Sequence, residues 1–298
     1  MKVAFIGLGN MGGGMAARQA SNQRSVSAFD LSRVALDRAL AAGCGEAASA
    51  AEAVRDADAV ITMLPAGQHV RSLYADAVLA NAPKSALLID CSTIDVDSAR
   101  LVGEQARAAG FRFADAPVSG GTAAADAGTL TFMVGCDEAD FADIEAALQP
   151  MARTIVRAGD VGAGQAAKIC NNMLLGVSML GVAEAFNLAE SLGLDAQRFF
   201  DISSKASGQC WSMTSYCPVP GPVPASPANR DFEGGFAVAM MLKDLKLAQD
   251  AAAKTGTSTP MGNQAEALYA MFDRLGYAGK DFSAVIRMLS GRLSDLSN

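Results

Sequence analysis

Val3-Ala4-Phe5-Ile6-Gly7-Leu8-Gly9-Asn10-Met11-Gly12 decides how the first half of this chain folds. Four apolar residues run straight into Gly-x-Gly-x-x-Gly, and residues 11–20 beyond it have helical spacing. In that strand–turn–helix setting each glycine has a mechanical reason. Gly7 permits the tight turn, Gly9 lets the backbone approach a pyrophosphate, and Gly12 permits close helix–strand packing. The N-terminus of the helix then faces the anion. The pattern alone is weak in a chain with 29 glycines, so its place at the first strand–helix turn is what gives it weight. The next apolar run ends at Asp30, 18 residues past Gly12. A carboxylate there accepts hydrogen bonds from an adenosine ribose and repels a 2′-phosphate. Leu31 and Ser32 follow, with Arg33 just beyond, so the sequence predicts a dinucleotide site that takes NAD over NADP. The competing reading is a glycine-rich turn with no ligand.

Outward from this turn, short β-like runs at 3–6, 26–29, 59–63, 86–90, 111–114, 130–134 and 154–157 alternate with helical stretches. Those stretches include 11–20, 33–42, 97–109 and 138–148. Apolar strands alternating with helices predict an α/β Rossmann-type domain, a doubly wound parallel sheet covered on both faces. After residue 162 the β-like runs stop. One long helix is expected from 165 to about 192, ending at Gly193, with further helices at 196–204, 239–255, 261–275 and 283–291. Two domains result: 1–162, which would bind NAD, and 163–298, all-helical and suited to substrate binding or oligomerisation, joined by the long helix. The Pro-rich stretch 216–228 fits neither a helix nor a central strand. It is either a surface linker or an ordered loop.

Composition sets bounds on function. The 298 residues carry a net charge of −7, with 51% hydrophobic and 18% charged residues. The acidic balance argues against nucleic acid or an anionic membrane as a partner. His69 is the single histidine, which removes any metal site needing two imidazoles; no metal is expected. Six scattered cysteines without a CxxC pair read as reduced, mostly buried thiols of a cytoplasmic protein. The N-terminus lacks the apolar region of a signal peptide, and the stretch 169–185, with Asn171, Asn172 and Glu184, reads as too polar for a comfortable bilayer span.

Further turns collect chemistry at strand ends, where ligands of such sheets lie. Thr62-Met63-Leu64-Pro65 ends one strand in a Pro-marked loop expected to include His69, and Leu64 and Pro65 are placed to pack on a dinucleotide. His69 reads equally as a surface residue. Thr93 ends another strand and either bonds the cofactor or caps the helix after it. In Ala116-Pro117-Val118-Ser119-Gly120-Gly121-Thr122, successive backbone N–H groups form an anion nest suited to a carboxylate, or a plain turn. Lys168 heads an apolar run with Asn171 and Asn172 at i+3 and i+4, on one helical face. Burial there lowers a lysine pKa toward the range useful for proton transfer. A surface lysine in the first turns is the alternative.

Taken together, Phe5 to Gly12, Thr62 to Pro65, Asp115 to Thr122, Gly162 to Asn172 and Lys243-Asp244-Leu245 resemble, in order, the signatures of the β-hydroxyacid dehydrogenases. The resemblance implies Lys168 as catalytic acid/base, with Asn172 beside it on the substrate and Ser119, Gly120 and Gly121 on the substrate carboxylate. It implies NAD contacts from Gly7, Leu8, Gly9, Asn10, Met11, Gly12, Asp30, Leu64, Pro65, His69, Thr93 and Lys243, of which His69 departs from the small polar residue usual there. Trp211 and Phe236 would shape a pocket for a substrate methyl group or be core aromatics. Ser207 to Ser212, Tyr216 to Gly221, Gly234 to Phe236 and Lys243 to Asp250 are most similar to members that oxidise 3-hydroxyisobutyrate to methylmalonate semialdehyde in valine breakdown. L-Serine or another short 3-hydroxy acid is the alternative substrate, and a non-catalytic NAD-binding regulator the alternative class. The resemblance also implies a homodimer or homotetramer.

Overall fold

In the computed structural model, which describes residues 1–296, the chain divides between Lys168 and Ile169 into two units. The N-terminal unit is built on one nine-stranded sheet. Its strands are β1 (Lys2–Ile6), β2 (Ser25–Phe29), β3 (Gly45–Glu46), β4 (Ala59–Thr62) and β5 (Leu87–Asp90). They continue with β6 (Arg112–Asp115), β7 (Val118–Ser119), β8 (Leu130–Gly135) and β9 (Ala152–Gly159). From β3 through β2, β1, β4 and β5 to β6 every pairing is parallel. Successive side chains point to opposite faces, so Val3 and Phe5 enter one core with Ile61, Ile89 and Phe132. Ala4 and Ile6 enter the other with Val60, Leu88 and Val102. Two dry faces explain why these strands read as continuous apolar runs.

The parallel-dominated sheet with helices is the expected Rossmann-type architecture, with one local departure. β8 runs antiparallel to both β6 and β7 before β9 joins it in parallel. The pairs Asp115–Gly135, Val118–Phe132 and Ser119–Thr131 share one register, so β6 and β7 are one strand kinked at Ala116-Pro117. A parallel return needs a crossover of about a dozen residues or more, and the short helix Gly121–Ala127 leaves room only for a reversal. Helices Ala50–Val54 and Gly67–Leu73 add to the helical stretches read from the sequence, and both are too short to show a clear period.

The C-terminal unit is helical, with a single β-bridge, Ala237 to Asp281, among its described residues. The long helix Ala163–Ser191 starts in the N-terminal unit and continues into this one. By length and hydropathy it passes as a bilayer-crossing segment, against the expectation from its sequence. Within its own unit, however, Met179, Ala183 and Phe186 bury against Met241 and Leu245 of helix Val238–Thr255 and Tyr269 and Phe272 of helix Pro260–Phe272. The Pro-rich stretch is an ordered loop, not a loose linker. Ser226 Oγ donates to Cys217 O (2.6 Å), Asn229 Nδ2 to Val223 O (2.8 Å), and Gly221 N to Asn229 Oδ1 (2.9 Å).

The first turn of the long helix lies directly on sheet backbone. A Cβ on Gly164 would sit 2.4 Å from Met133 O and 2.7 Å from Asp115 O. Glycine to alanine inside a helix ordinarily stabilises by about 1 kcal/mol. Here we predict the opposite sign, a loss of roughly 1–3 kcal/mol for Gly164→Ala. Chemical denaturation checks it, and a stabilised variant would show that the helix is not seated this tightly.

Candidate active site

At the first turn the backbone leaves β1 through Gly7, whose φ of +92° is costly for any residue with a Cβ. A Cβ on Gly12 would fall 1.9 Å from Gly7 O, whereas one on Gly9 would meet nothing within 4 Å. The turn is therefore closed toward the protein and open on the side where helix Gly12–Ser21 presents its N-terminus. Leu8 is buried, Asn10 exposed and Met11 half-buried. Asp30 braces the turn: its Oδ2 accepts from Leu8 N and its Oδ1 from Ser32 N, both at 2.6 Å. Arg33 is committed to Asp37 (2.6 Å) and Glu46 (2.7 Å). This cradle fits a dinucleotide pyrophosphate and its ribose.

Beside it, β4 and β5 end in a buried polar knot. Thr62 Oγ1 and Ser92 Oγ donate to Asp90 Oδ1 at 2.7 and 2.6 Å, and Leu64 N donates to Ser92 Oγ at 2.8 Å. Leu64 is thereby fixed, with Pro65 exposed next to it. Burial pushes the Asp90 carboxyl up to about 6, and its Oδ2 has no hydrogen-bond partner. His69 is exposed in the first turn of helix Gly67–Leu73, not in a loop. Thr93 is half-buried and does not cap the following helix; Asp95 does, accepting from Ser98 N at 2.8 Å. Ser119 lies in β7 rather than in a plain turn. Gly120 and Gly121 take φ of +137° and +71° at the mouth of helix Gly121–Ala127.

Lys168 is 7% exposed, so of its two readings the surface lysine is excluded. Two residues that had not been singled out anchor the turn before it. Asp115, at the end of β6, accepts from Gly162 N (2.6 Å) and Gln165 N (2.7 Å). The Gln165 side chain accepts from Ile94 N (3.0 Å) and donates to Ser92 O (2.7 Å). Burial pushes the Asp115 carboxyl up to about 6 against the pull of those backbone donors. The signal available in the sequence was a carboxylate ending an apolar strand and a glutamine one turn ahead of Lys168.

In the C-terminal unit Asn172 is buried and donates to Asp244 Oδ2 at 2.5 Å, while Lys243 Nζ lies 3.3 Å from Asp244 Oδ1. Asp244 thus links two of the predicted site residues. Asn171 and Cys170 are exposed, so Asn171 does not share the buried face of Lys168 and Asn172. Trp211 is no core aromatic: it is 51% exposed and stacks on Tyr216 at 4.8 Å. Phe236 is half-buried with its ring 5.8 Å from Phe282.

The chain resembles known proteins over nearly its whole length. Residues 2–159 match the family described as the NAD binding domain of 6-phosphogluconate dehydrogenase. Residues 162–289 match the family described as the NAD-binding domain of NADP-dependent 3-hydroxyisobutyrate dehydrogenase. The chain is 51% identical over 290 residues to the probable 3-hydroxyisobutyrate dehydrogenase of Mycobacterium tuberculosis, covering 97% of this chain and 98% of that one. It is 47% identical to an NAD-dependent L-serine dehydrogenase of Pseudomonas aeruginosa, covering 96% and 97%. A structure of the M. tuberculosis 3-hydroxyisobutyrate dehydrogenase with L-serine superposes with a TM-score of 0.93 at 51% identity, covering 97% and 98%.

The raised carboxyls make a pH prediction. Asp90 and Asp115 hold a proton more tightly folded than unfolded, so their contribution to stability is fullest below about pH 4 and is lost as pH rises through about 6. Asp90→Asn, which stays neutral, should gain on the parent between pH 4 and 7 by up to about 3 kcal/mol. Denaturation curves at the two pH values test this, and a difference that does not change with pH would place Asp90 in the ordinary carboxylate range.

Proposed function

The chain belongs to the 3-hydroxyisobutyrate dehydrogenase family, and from that premise we propose that it oxidises 3-hydroxyisobutyrate to methylmalonate semialdehyde, a step of valine breakdown, with Lys168 as general acid/base. The observation that carries the reading is the burial of Lys168 on a helix whose first turn is fastened to the strand ends of the dinucleotide unit. Bound NAD supplies the hydride acceptor. The neutral Lys168 amine takes the hydroxyl proton as hydride leaves the carbinol carbon, and in reduction the ammonium returns that proton and stabilises the developing oxyanion. Asn172 binds the substrate beside it. The backbone of Ser119, Gly120 and Gly121 receives the substrate carboxylate. Trp211 and Phe236 border its methyl group.

NAD rather than NADP is the proposed partner. Asp30 sets a carboxylate at the end of β2, and the arginine nearest in sequence is already held by two carboxylates. Leu64, Pro65, His69, Thr93 and Lys243 complete the proposed cofactor contacts. L-Serine is the second reading, favoured by the 47% identical L-serine dehydrogenase. A homodimer or homotetramer is proposed from the exposed Leu174 and Leu188 on the long helix and Leu192 just past its end. A cytoplasmic location accords with six free thiols.

Lys168→Ala should lower kcat by about a hundred- to ten-thousand-fold while NAD affinity by titration is kept. Parallel loss of NAD affinity would make Lys168 structural. NADH formation from 3-hydroxyisobutyrate, serine and glycerate with NAD and NADP tests the rest. NAD binding without turnover on any of the three would leave a regulator as the reading.

A further inference from the structure

Beneath the exposed ring of Trp211 lies a fully buried carboxylate that the proposed chemistry does not use. Asp281 Oδ2 accepts from the Tyr216 hydroxyl (2.7 Å) and from Phe236 N (2.8 Å). Its Oδ1 accepts from Ser283 N (3.0 Å) and from the Ser283 hydroxyl (2.5 Å). Four donors fill the roughly four lone-pair sites of a carboxylate. The chain closes on this group from all sides. Asp281 bridges Ala237, and Phe282 N donates to Phe236 O at 2.8 Å. Gly235, at φ +81°, is pressed so close that a Cβ would fall 2.2 Å from Asp281 Oδ2 and 2.4 Å from the Tyr216 hydroxyl. The Tyr216 ring is stacked between Trp211 at 4.8 Å and Phe282 at 5.4 Å.

We propose that Asp281 is a positioning residue for substrate recognition: one carboxylate fixes both the Tyr216 ring that supports Trp211 and the backbone that presents Phe236. The proposal rests on the reading that Trp211 and Phe236 border the substrate. A tyrosine whose hydroxyl is anchored keeps one ring position, and a half-exposed indole stacked on it loses little further freedom when a ligand arrives. A network with every member satisfied is rigid; one left half-satisfied is not. Asparagine cannot replace Asp281 silently, because its amide brings two donors to a centre that holds only donors. Burial and the adjacent carboxylate push the Tyr216 hydroxyl up, so it remains a donor at every working pH.

Trp211 is the only tryptophan of the chain, so its emission reports on the platform alone. The experiment compares the full-length parent with Tyr216→Phe, Asp281→Asn and the double variant. It reads acrylamide quenching of Trp211, steady-state constants with 3-hydroxyisobutyrate, and NAD affinity. Each single variant should raise quenching and raise KM about tenfold. Their kcat and NAD affinity should stay within about threefold, and the double variant should be no worse than the poorer single one, as residues acting through one network require. Unchanged quenching in Tyr216→Phe overturns the proposal, as does raised quenching with an unchanged KM. Should Asp281→Asn fail to fold, Tyr216→Phe, which keeps the ring and removes one hydroxyl, decides alone. A parent protein inactive on every 3-hydroxy acid would bring down the functional reading instead, an outcome the variants' emission cannot mimic.

Discussion

The first N–H groups of any helix lack partners within it, and the long helix of this chain finds them on the sheet. Asp115 accepts two of them, from Gly162 and Gln165, at the point where β6 ends. A carboxylate facing a helix N-terminus is favoured by the helix dipole, which offsets part of the cost of burying it. Gln165 then fastens the same turn to the segment after β5 through Ser92 and Ile94. Lys168 stands three residues further on, so its direction relative to the strand ends is fixed before the helix passes out of the N-terminal unit. The proposed proton-transfer group and the proposed dinucleotide cradle therefore belong to one compact unit, as catalysis by orientation requires.

Cofactor choice depends on a similar economy. Asp30 uses both oxygens on backbone N–H groups, one in the glycine turn and one just past β2. Its charge is held in place by the chain, independent of any ligand. A 2′-phosphate brought to this end of β2 would meet that charge, with Arg33 engaged elsewhere. One matched family description speaks of NAD binding and the other names an NADP-dependent enzyme, so the proposed preference for NAD rests on the local charge at Asp30.

Much of this architecture was legible in the sequence because its signals are periodic. The strand runs flanking Gly7 to Gly12, the helix 97–109 and the long helix lie within a few residues of where the pattern put them. What escaped was short or non-local. β7 has two residues and β3 two, too few for alternation to register. The reversal at β8 follows from the brevity of the 120–129 connection, which no hydrophobic pattern encodes. His69 was expected in a loop because Pro65 marks one, but the loop ends at Ala66 and a helix begins at Gly67. Asn171 was grouped with Lys168 by spacing; one residue of helical rotation, about 100°, is enough to send it to solvent while Asn172 stays buried.

The buried aspartates were the least legible feature, for a reason that reaches beyond this chain. Asp90, Asp115 and Asp281 each gather segments that are distant in sequence, and most of their partners are backbone amides or small hydroxyls. A backbone N–H leaves no mark on residue identity, so only one half of each interaction is written in side chains. An aspartate at the end of an apolar strand looks like any surface-bound strand end until the fold brings the donors to it. Burying such a carboxylate costs stability as pH rises toward neutrality, and the return is a set of loops that cannot slide. The positions where the chain accepts that cost, beside Leu64, beneath Lys168 and under Trp211, are the positions where the proposed chemistry needs a side chain to stay still.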